Sequence, residues 1–313
     1  MTSDSTLTDI ESRRLLVCDV GNSRVKFGLF AATPGVLETP GVAALPVCLH
    51  SAAFPLTDRV DWDLIDRWVA LEARPPVHRE SNARADELPV PPGATSFIAG
   101  SNPAAIDRIQ QEWAQRTRRP PFEQVIDLCR LIETAVDAPG RVGVDRLLNV
   151  VAANVLRAPR QPAVIVDSGT ATTVDLVDSD GVFRGGAILP GFELAAKSLH
   201  AYTALLPLVT VDELAAEPRA PLGANTRAAI RGGLYWGQVG AVRELVTRQT
   251  PGVSKTPGVS PLVLLTGGGA GLLAEQFPTA RREPHLSLQG LVLAGIERRA
   301  PLFNCKRGIS HET

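Results

Sequence analysis

The feature that most constrains the fold of this 313-residue chain is an internal repeat. Val17-Cys18-Asp19-Val20-Gly21-Asn22-Ser23 and Ile165-Val166-Asp167-Ser168-Gly169-Thr170-Ala171 share one pattern, 148 positions apart. Two apolar residues lead to Asp, any residue, Gly, then Asn or Thr and a small residue. Each copy closes a short apolar run and is followed by an alternating stretch, residues 25–30 in the first and 172–177 in the second. Apolar run, tight turn and alternating run read as a β-hairpin. One such hairpin is common, but two with matched flanks, half a chain apart, predict a duplicated fold. The length allows it, with roughly 150 residues for each half.

Between and after the hairpins, helix and strand signals alternate. Trp62, Ile65, Trp68 and Val69 fall on one helical face of residues 61–71, and 103–116 read as a helix opened near Asn102. Residues 97–100 read as a buried strand. Residues 145–156 form an apolar-faced helix through Leu147, Leu148, Val151 and Val155, and 225–248 form a long helix interrupted by glycines. A strand at 262–265 runs into Thr266-Gly267-Gly268-Gly269, and a helix is expected from Leu273. Residues 73–94, rich in Pro, Arg and Glu, are expected to be an exposed loop.

Composition excludes several classes. A formal charge of −1 provides no basic field for nucleic acid or an anionic membrane. No apolar run approaches the roughly 18 residues of a membrane helix, and the first fourteen residues lack a signal-peptide core, so a cytoplasmic protein is expected. Cys18, Cys48, Cys129 and Cys305 are scattered, without C-x-x-C or zinc spacing. Gly-Lys occurs nowhere, which excludes a Walker A loop, and residues 267–271 lack the last Gly of a dinucleotide fingerprint because position 272 is Leu. No nucleophile elbow is present either.

An Asp at the end of a buried strand, followed by Gly and a hydroxyl or amide side chain, suits phosphate and cation chemistry. The Gly lets backbone N–H groups approach the oxygens, and the Asp holds a hydrated divalent ion. A single copy could equally be an ordinary turn, where Asp, Gly and Asn are frequent. The glycines after residue 266 suit either a nucleoside lying on bare backbone or a close strand–helix turn. Asp145 at a helix start is either a cap or a carboxylate able to take a hydroxyl proton. His50, His78, His200, His285 and His311 have no partner at catalytic spacing.

Taken in order, Asp19-Val-Gly-Asn-Ser-Arg-Val-Lys26, Gly143-Val-Asp-Arg146, Asp167-Ser-Gly-Thr-Ala-Thr-Thr-Val-Asp175, Gly185-Gly-Ala-Ile-Leu-Pro-Gly191, Asn225-Thr226 and Thr266-Gly-Gly-Gly269 give the chain its family likeness. It resembles type III pantothenate kinase, the Bvg accessory factor family, within the actin and sugar kinase superfold. The resemblance implies an α/β fold of duplicated RNase H-like, actin-like ATPase domains around a central cleft, with an N-terminal domain over 14–145 and a C-terminal domain over 146–300. Residues 1–13 and 301–313 are expected to be flexible tails. The activity implied is ATP-dependent phosphorylation of pantothenate to 4′-phosphopantothenate, the first step of coenzyme A biosynthesis, by a homodimer.

Carried over residue by residue, Asp19, Val20, Gly21, Asn22, Ser23, Arg24, Val25 and Lys26 would bind ATP, with Asp19 near Mg²⁺ through water. Thr170 would contact ATP, and Asp167 would ligate a monovalent cation, K⁺ or NH₄⁺. Val136, Gly143, Val144, Asp145, Arg146 and Thr226 would line the pantothenate site, with Asp145 as general base and Arg146 as partner of the substrate carboxylate. Phosphoryl transfer asks mainly for positioning and charge neutralisation, which such a set supplies. Three positions depart from the family pattern. Val136 stands where a substrate-contacting Tyr is usual, Ser23-Arg24 replaces Thr-Asn, and Ser168 replaces Phe. Two alternatives stay open, a kinase for another small hydroxylated substrate, which the Val136 departure motivates, and a non-catalytic nucleotide-binding regulator, which the accessory-factor name allows.

Overall fold

The computed structural model describes residues 14–31, 44–71, 95–116, 120–216, 219–250 and 258–299. The expected loop over 73–94 and the tails at 1–13 and 301–313 lie outside these residues. Two five-stranded sheets share one topology. The first comprises β1 (Arg14–Val20), β2 (Arg24–Ala31), β3 (Val47–Pro55), β4 (Thr95–Gly100) and β5 (Glu123–Gln124), in spatial order β3-β2-β1-β4-β5. The second comprises β6 (Ala163–Ser168), β7 (Ala171–Val177), β8 (Phe183–Pro190), β9 (Leu262–Thr266) and β10 (Arg281–Arg282), in order β8-β7-β6-β9-β10. In each, an antiparallel meander of three strands is extended by two parallel ones, which is the RNase H-like arrangement and makes the repeat a duplication of folds.

The repeated Asp lies on the central strand both times. β1 is buried on both faces from Leu15 to Val20, flanked by β2 and β4, so its sequence reads as a continuous apolar run rather than an alternation. Asp19 pairs across to Lys26 on β2 and Ala99 on β4, while Asp167 pairs to Thr173 on β7 and Thr266 on β9. A glycine follows the fourth strand's pairing residue in each half, Gly100 and Gly267. A β-carbon at Gly100 would overlap the Val20 carbonyl, and one at Gly267 would crowd the Ser168 carbonyl at 2.6 Å. This second matched pair extends the duplication beyond the hairpins.

Helices α1 (Trp62–Leu71) and α2 (Pro103–Arg116) close the first core, where Phe27, Trp62, Ile65 and Trp113 pack together. The Phe27 and Trp62 rings meet edge to face at 5.4 Å. Asn102 caps α2 by accepting from the Ala105 N–H at 3.1 Å, as its position in the sequence predicts. Four helices, α4 (Phe192–Ala201), α5 (Val211–Ala215), α6 (Thr226–Gln249) and α7 (Ala270–Ala274), belong to the second half, whose core gathers Val166, Val174, Phe192, Tyr235 and Leu265. The helix expected from Leu273 begins earlier, at Ala270.

Helices α3 (Val144–Leu156) and α8 (Leu286–Arg299) revise the expected domain boundary. A single cut after Asp145 does not describe the structure. One compact unit takes the described residues up to Leu131 together with Val142–Leu156 and those from Ser287 onward, and the other takes Ile132–Arg141 and Arg157–Leu286. The physical reason is close backbone packing. Gly290 of α8 lies so near α3 that a β-carbon would overlap the Leu148 carbonyl, and one at Gly295 would strike the Phe97 ring of β4. Both helices are thereby bound into the first sheet's core.

Candidate active site

In the first unit, Asp19 is 2% exposed. Taking a carboxylate this far out of water is expensive unless its oxygens find donors or a cation. Oδ2 accepts from Ser287 Oγ at 2.9 Å and lies 3.4 Å from Lys26 Nζ. Oδ1 is buried with no hydrogen-bond partner among the described residues. Lys26 reaches Asp19 because antiparallel register sets the two side by side, and a third of its side chain remains open to solvent. The turn between them is closed by Gly21 N–H donating to the Arg24 carbonyl at 3.0 Å, leaving Asn22 and Ser23 exposed. Val20 and Val25 bury their side chains completely, so only their backbone could meet a nucleotide. Beside Asp19, burial first and the neighbouring carboxylate second push the Cys18 thiol well above its ordinary pKa, which keeps it protonated and unreactive.

Also in this unit, Asp145 stands in the first turn of α3, half-buried. Its Oδ1 accepts the Arg146 backbone N–H at 2.9 Å. A β-carbon at position 143 would sit 2.6 Å from that same oxygen, so the Gly of Gly143-Val144-Asp145 makes room for the carboxylate. The Gly143 carbonyl in turn accepts from Leu147 N–H at 3.2 Å, which starts the helix. Arg146 is half-buried beside it.

In the second unit, Asp167 is the penultimate residue of β6 and half-buried, next to Gly267, whose φ of +84° and lack of a side chain leave the Asp167 Oδ1 uncrowded. Thr170 is exposed at the tip of the turn, and its carbonyl accepts from Gly191 N–H at 3.0 Å. A β-carbon at 191 would press on the Gly169 and Thr170 carbonyls, which explains why the Gly185–Gly191 motif accompanies the second hairpin. Val136 leans over the same motif. Residues 133–135 bond to Phe183 of β8, and Val136 Cγ1 would be 3.4 Å from a β-carbon at Gly185, which has φ +87°. Thr226 is exposed at the start of α6, after Asn225, which caps the helix by accepting Ala228 N–H at 2.9 Å.

The donor set fits a hydrated divalent ion at Asp19. Among the described residues no three His, Cys, Asp or Glu gather into a metal cage. One buried carboxylate oxygen without a partner matches Mg²⁺, which keeps most of its water and shares phosphate oxygens. Ser287 is the site residue that sequence reasoning missed. It lies 268 positions from Asp19, and no local pattern marks it.

A family model described as type III pantothenate kinase matches residues 66–248, a span that contains Asp145, Asp167, Thr170 and Thr226. Type III pantothenate kinase of Gluconobacter oxydans is 40% identical over 171 residues, covering 54% of this chain and 60% of that protein. Type III pantothenate kinase 1 of Symbiobacterium thermophilum is 30% identical over 283 residues, 89% of this chain and 95% of that one. The chain thus spans about six-tenths of the length of the first of these relatives and nearly all of the second. Among solved structures, the activator of the 2-hydroxyisocaproyl-CoA dehydratase from Clostridium difficile aligns over 96% of this chain and 99% of its own, at 11% identity and a TM-score of 0.46.

Proposed function

The chain belongs to the type III pantothenate kinase family, and from that membership we propose that it transfers the γ-phosphoryl group of ATP to the primary hydroxyl of pantothenate. The product would be 4′-phosphopantothenate, on the way to coenzyme A. The observation that carries the reading is Asp145 at the opening of α3, its carboxylate accommodated by Gly143 and steadied by the Arg146 amide. There it would accept the proton of the attacking hydroxyl. Arg146 would hold the substrate carboxylate, a task a guanidinium performs bidentately. Lys26 and the turn at Gly21–Ser23 would receive ATP phosphates, and Thr170 would be an ATP contact.

A divalent ion, Mg²⁺ in this reading, would neutralise charge on the phosphates, and Asp19 Oδ1 would hold it through water. Asp167 would bind a monovalent cation, K⁺ or NH₄⁺. A homodimer is supported by the apolar side chains the second unit leaves open, Tyr202 at 88%, Leu205 at 90% and Leu222 at 87% exposure. No helix among the described residues is long and apolar enough to cross a membrane, and we assign the enzyme to the cytoplasm.

Purified protein with ATP, Mg²⁺ and K⁺ is expected to form 4′-phosphopantothenate. Asp145→Asn should abolish turnover while ATP binding, measured by calorimetry, persists. An unchanged rate would remove Asp145 as base. Val136, in place of the family's Tyr, favours one second reading, a different small hydroxylated acceptor. Activity confined to a sugar or acetate in a parallel screen would establish it in place of pantothenate.

A further inference from the structure

We infer that Ser287 is a positioning residue for the phosphate-side carboxylate, fixing the rotation at which Asp19 presents one oxygen to the hydrated divalent ion. The inference rests on the reading of Asp19 given above. A carboxylate turns easily about its last bond, because a terminal sp³–sp² torsion has broad, shallow wells. Something must therefore hold the carboxylate plane so that one oxygen keeps the protein's donors and the other is left without one.

Lys26 alone is poorly suited to that task. Its ammonium is at the long limit of a contact, 3.4 Å, on a flexible and partly solvated stem. The Ser287 hydroxyl is 2.9 Å away, 5% exposed, and borne on the second residue of α8. That helix has little freedom to shift. Gly290 meets the Leu148 carbonyl of α3, Gly295 meets the Phe97 ring of β4, and Gln289 Nε2 donates to the Pro46 carbonyl at 3.1 Å. The serine oxygen is thus a fixed point on a short side chain, and the lysine nitrogen sits at the end of a long one. Without the hydroxyl, the Asp19 carboxylate can rotate to bring both oxygens nearer Lys26, and the ion must compete with the ammonium for the carboxylate.

Because the Leu148 contact is made by α8 as well, one helix sets both the Asp19 oxygen and the seat of α3, which carries Asp145.

The test compares Ser287→Val with Ser287→Thr, two side chains of nearly the same shape that differ in the hydroxyl. Binding of Mn²⁺·ADP is followed by electron paramagnetic resonance of the bound Mn²⁺, with the apparent activation constant for Mg²⁺ as a second readout and thermal unfolding to confirm that both variants are folded. Loss of a partner to a direct metal ligand typically weakens a site about 10- to 100-fold, and because Asp19 meets the ion through water the loss at Ser287 is expected at the lower end, about 10-fold. Val is expected to show that weakening and Thr to stay within a few-fold of the parent, with KM for pantothenate unchanged in both. Equal weakening in both variants, or none in either, overturns the positioning role. Asp19→Asn separates the two levels of the argument. If it leaves Mn²⁺·ADP binding intact, the reading of Asp19 fails; if it weakens binding while Ser287→Val does not, only the role of Ser287 fails.

Discussion

The two Asp-x-Gly hairpins start from one pattern and finish in different electrostatic settings, because the turns differ by one residue in length and only the first strand that follows carries a lysine opposite the Asp. In the first, the residue opposite Asp19 is seven positions on, Lys26; in the second, the residue opposite Asp167 is six positions on, Thr173. Because strand side chains alternate faces, that one-residue difference exchanges the face presented to the Asp. The residue seven beyond Asp167 is Val174, fully buried in the second core. Asp19 thereby gains an ammonium and can be held at 2% exposure. Asp167 stays half-buried, and its cross-strand neighbour Thr173 spends its hydroxyl on Asp175 Oδ2 at 3.0 Å. A buried site with a lysine suits phosphate and a divalent ion. A more open carboxylate with a threonine across the strand suits a weakly held ion of single charge.

If the two sites divide the work in this way, neutralising each Asp should produce separable defects. Asp19→Asn removes charge compensation at the transferring phosphoryl group and is expected to lower kcat/KM about 10²- to 10³-fold, the range typical of losing one preorganised electrostatic group. The loss should appear in the Mg²⁺ titration. Asp167→Asn is expected to cost less and to appear as a raised activation constant for K⁺ with the Mg²⁺ response unchanged. Identical signatures in the two variants would break the comparison.

How much of this could be read from the sequence depends on the range of the interaction. The hairpins, α1, α2 with its Asn102 cap, α3 and α6 are local, and their periodicities announce them. β8 was hidden because Gly185 and Gly186 interrupt its alternation. α8 left no mark because residues 286–297 are buried without a break, and a helix buried all round has no amphipathic stripe. Ser287 therefore could not be connected to Asp19, and the domain boundary drawn after Asp145 missed that α3 and α8 belong with the first sheet. Cross-strand register was likewise out of reach, since the matched spelling of the two hairpins gives no sign that their turns differ in length.

The glycines after the fourth strands offer a stability contrast. Gly267→Ala places a side chain at φ +84° and against Asp167 Oδ1 and the Ser168 carbonyl. The backbone conformation alone costs about 1–2 kcal/mol, and the overlap adds to it, so a clear drop in Tm is expected, together with loss of K⁺ activation as Asp167 is displaced. Gly100→Ala meets the Val20 backbone instead and should lower Tm while sparing the K⁺ response. Smaller in effect, Lys26→Thr gives the first hairpin the second's cross-strand residue. Because the lysine is partly solvated, about a 10-fold rise in KM for ATP is expected, near 1.4 kcal/mol, with KM for pantothenate unmoved.

The smallest effect on stability is expected at the glycine inside the second turn. Gly169 does not have positive φ, and a β-carbon there would meet the Ala171 carbonyl and Asp167 Oδ1 at 3.6 Å, ordinary contact distances. The fold thus makes no demand for glycine at this position, unlike Gly267, and Gly169→Ala should leave unfolding free energy within about 0.5 kcal/mol of the parent. A residue unnecessary to the fold but matched in both hairpins is best explained by what must come close to it. A methyl group at 169 would keep phosphate oxygens from the turn's backbone, so calorimetry should show weakened ATP binding by a protein of unchanged Tm. If the variant binds ATP as tightly as the parent, the second hairpin does not touch the nucleotide through this turn, and phosphate binding belongs to the first hairpin alone.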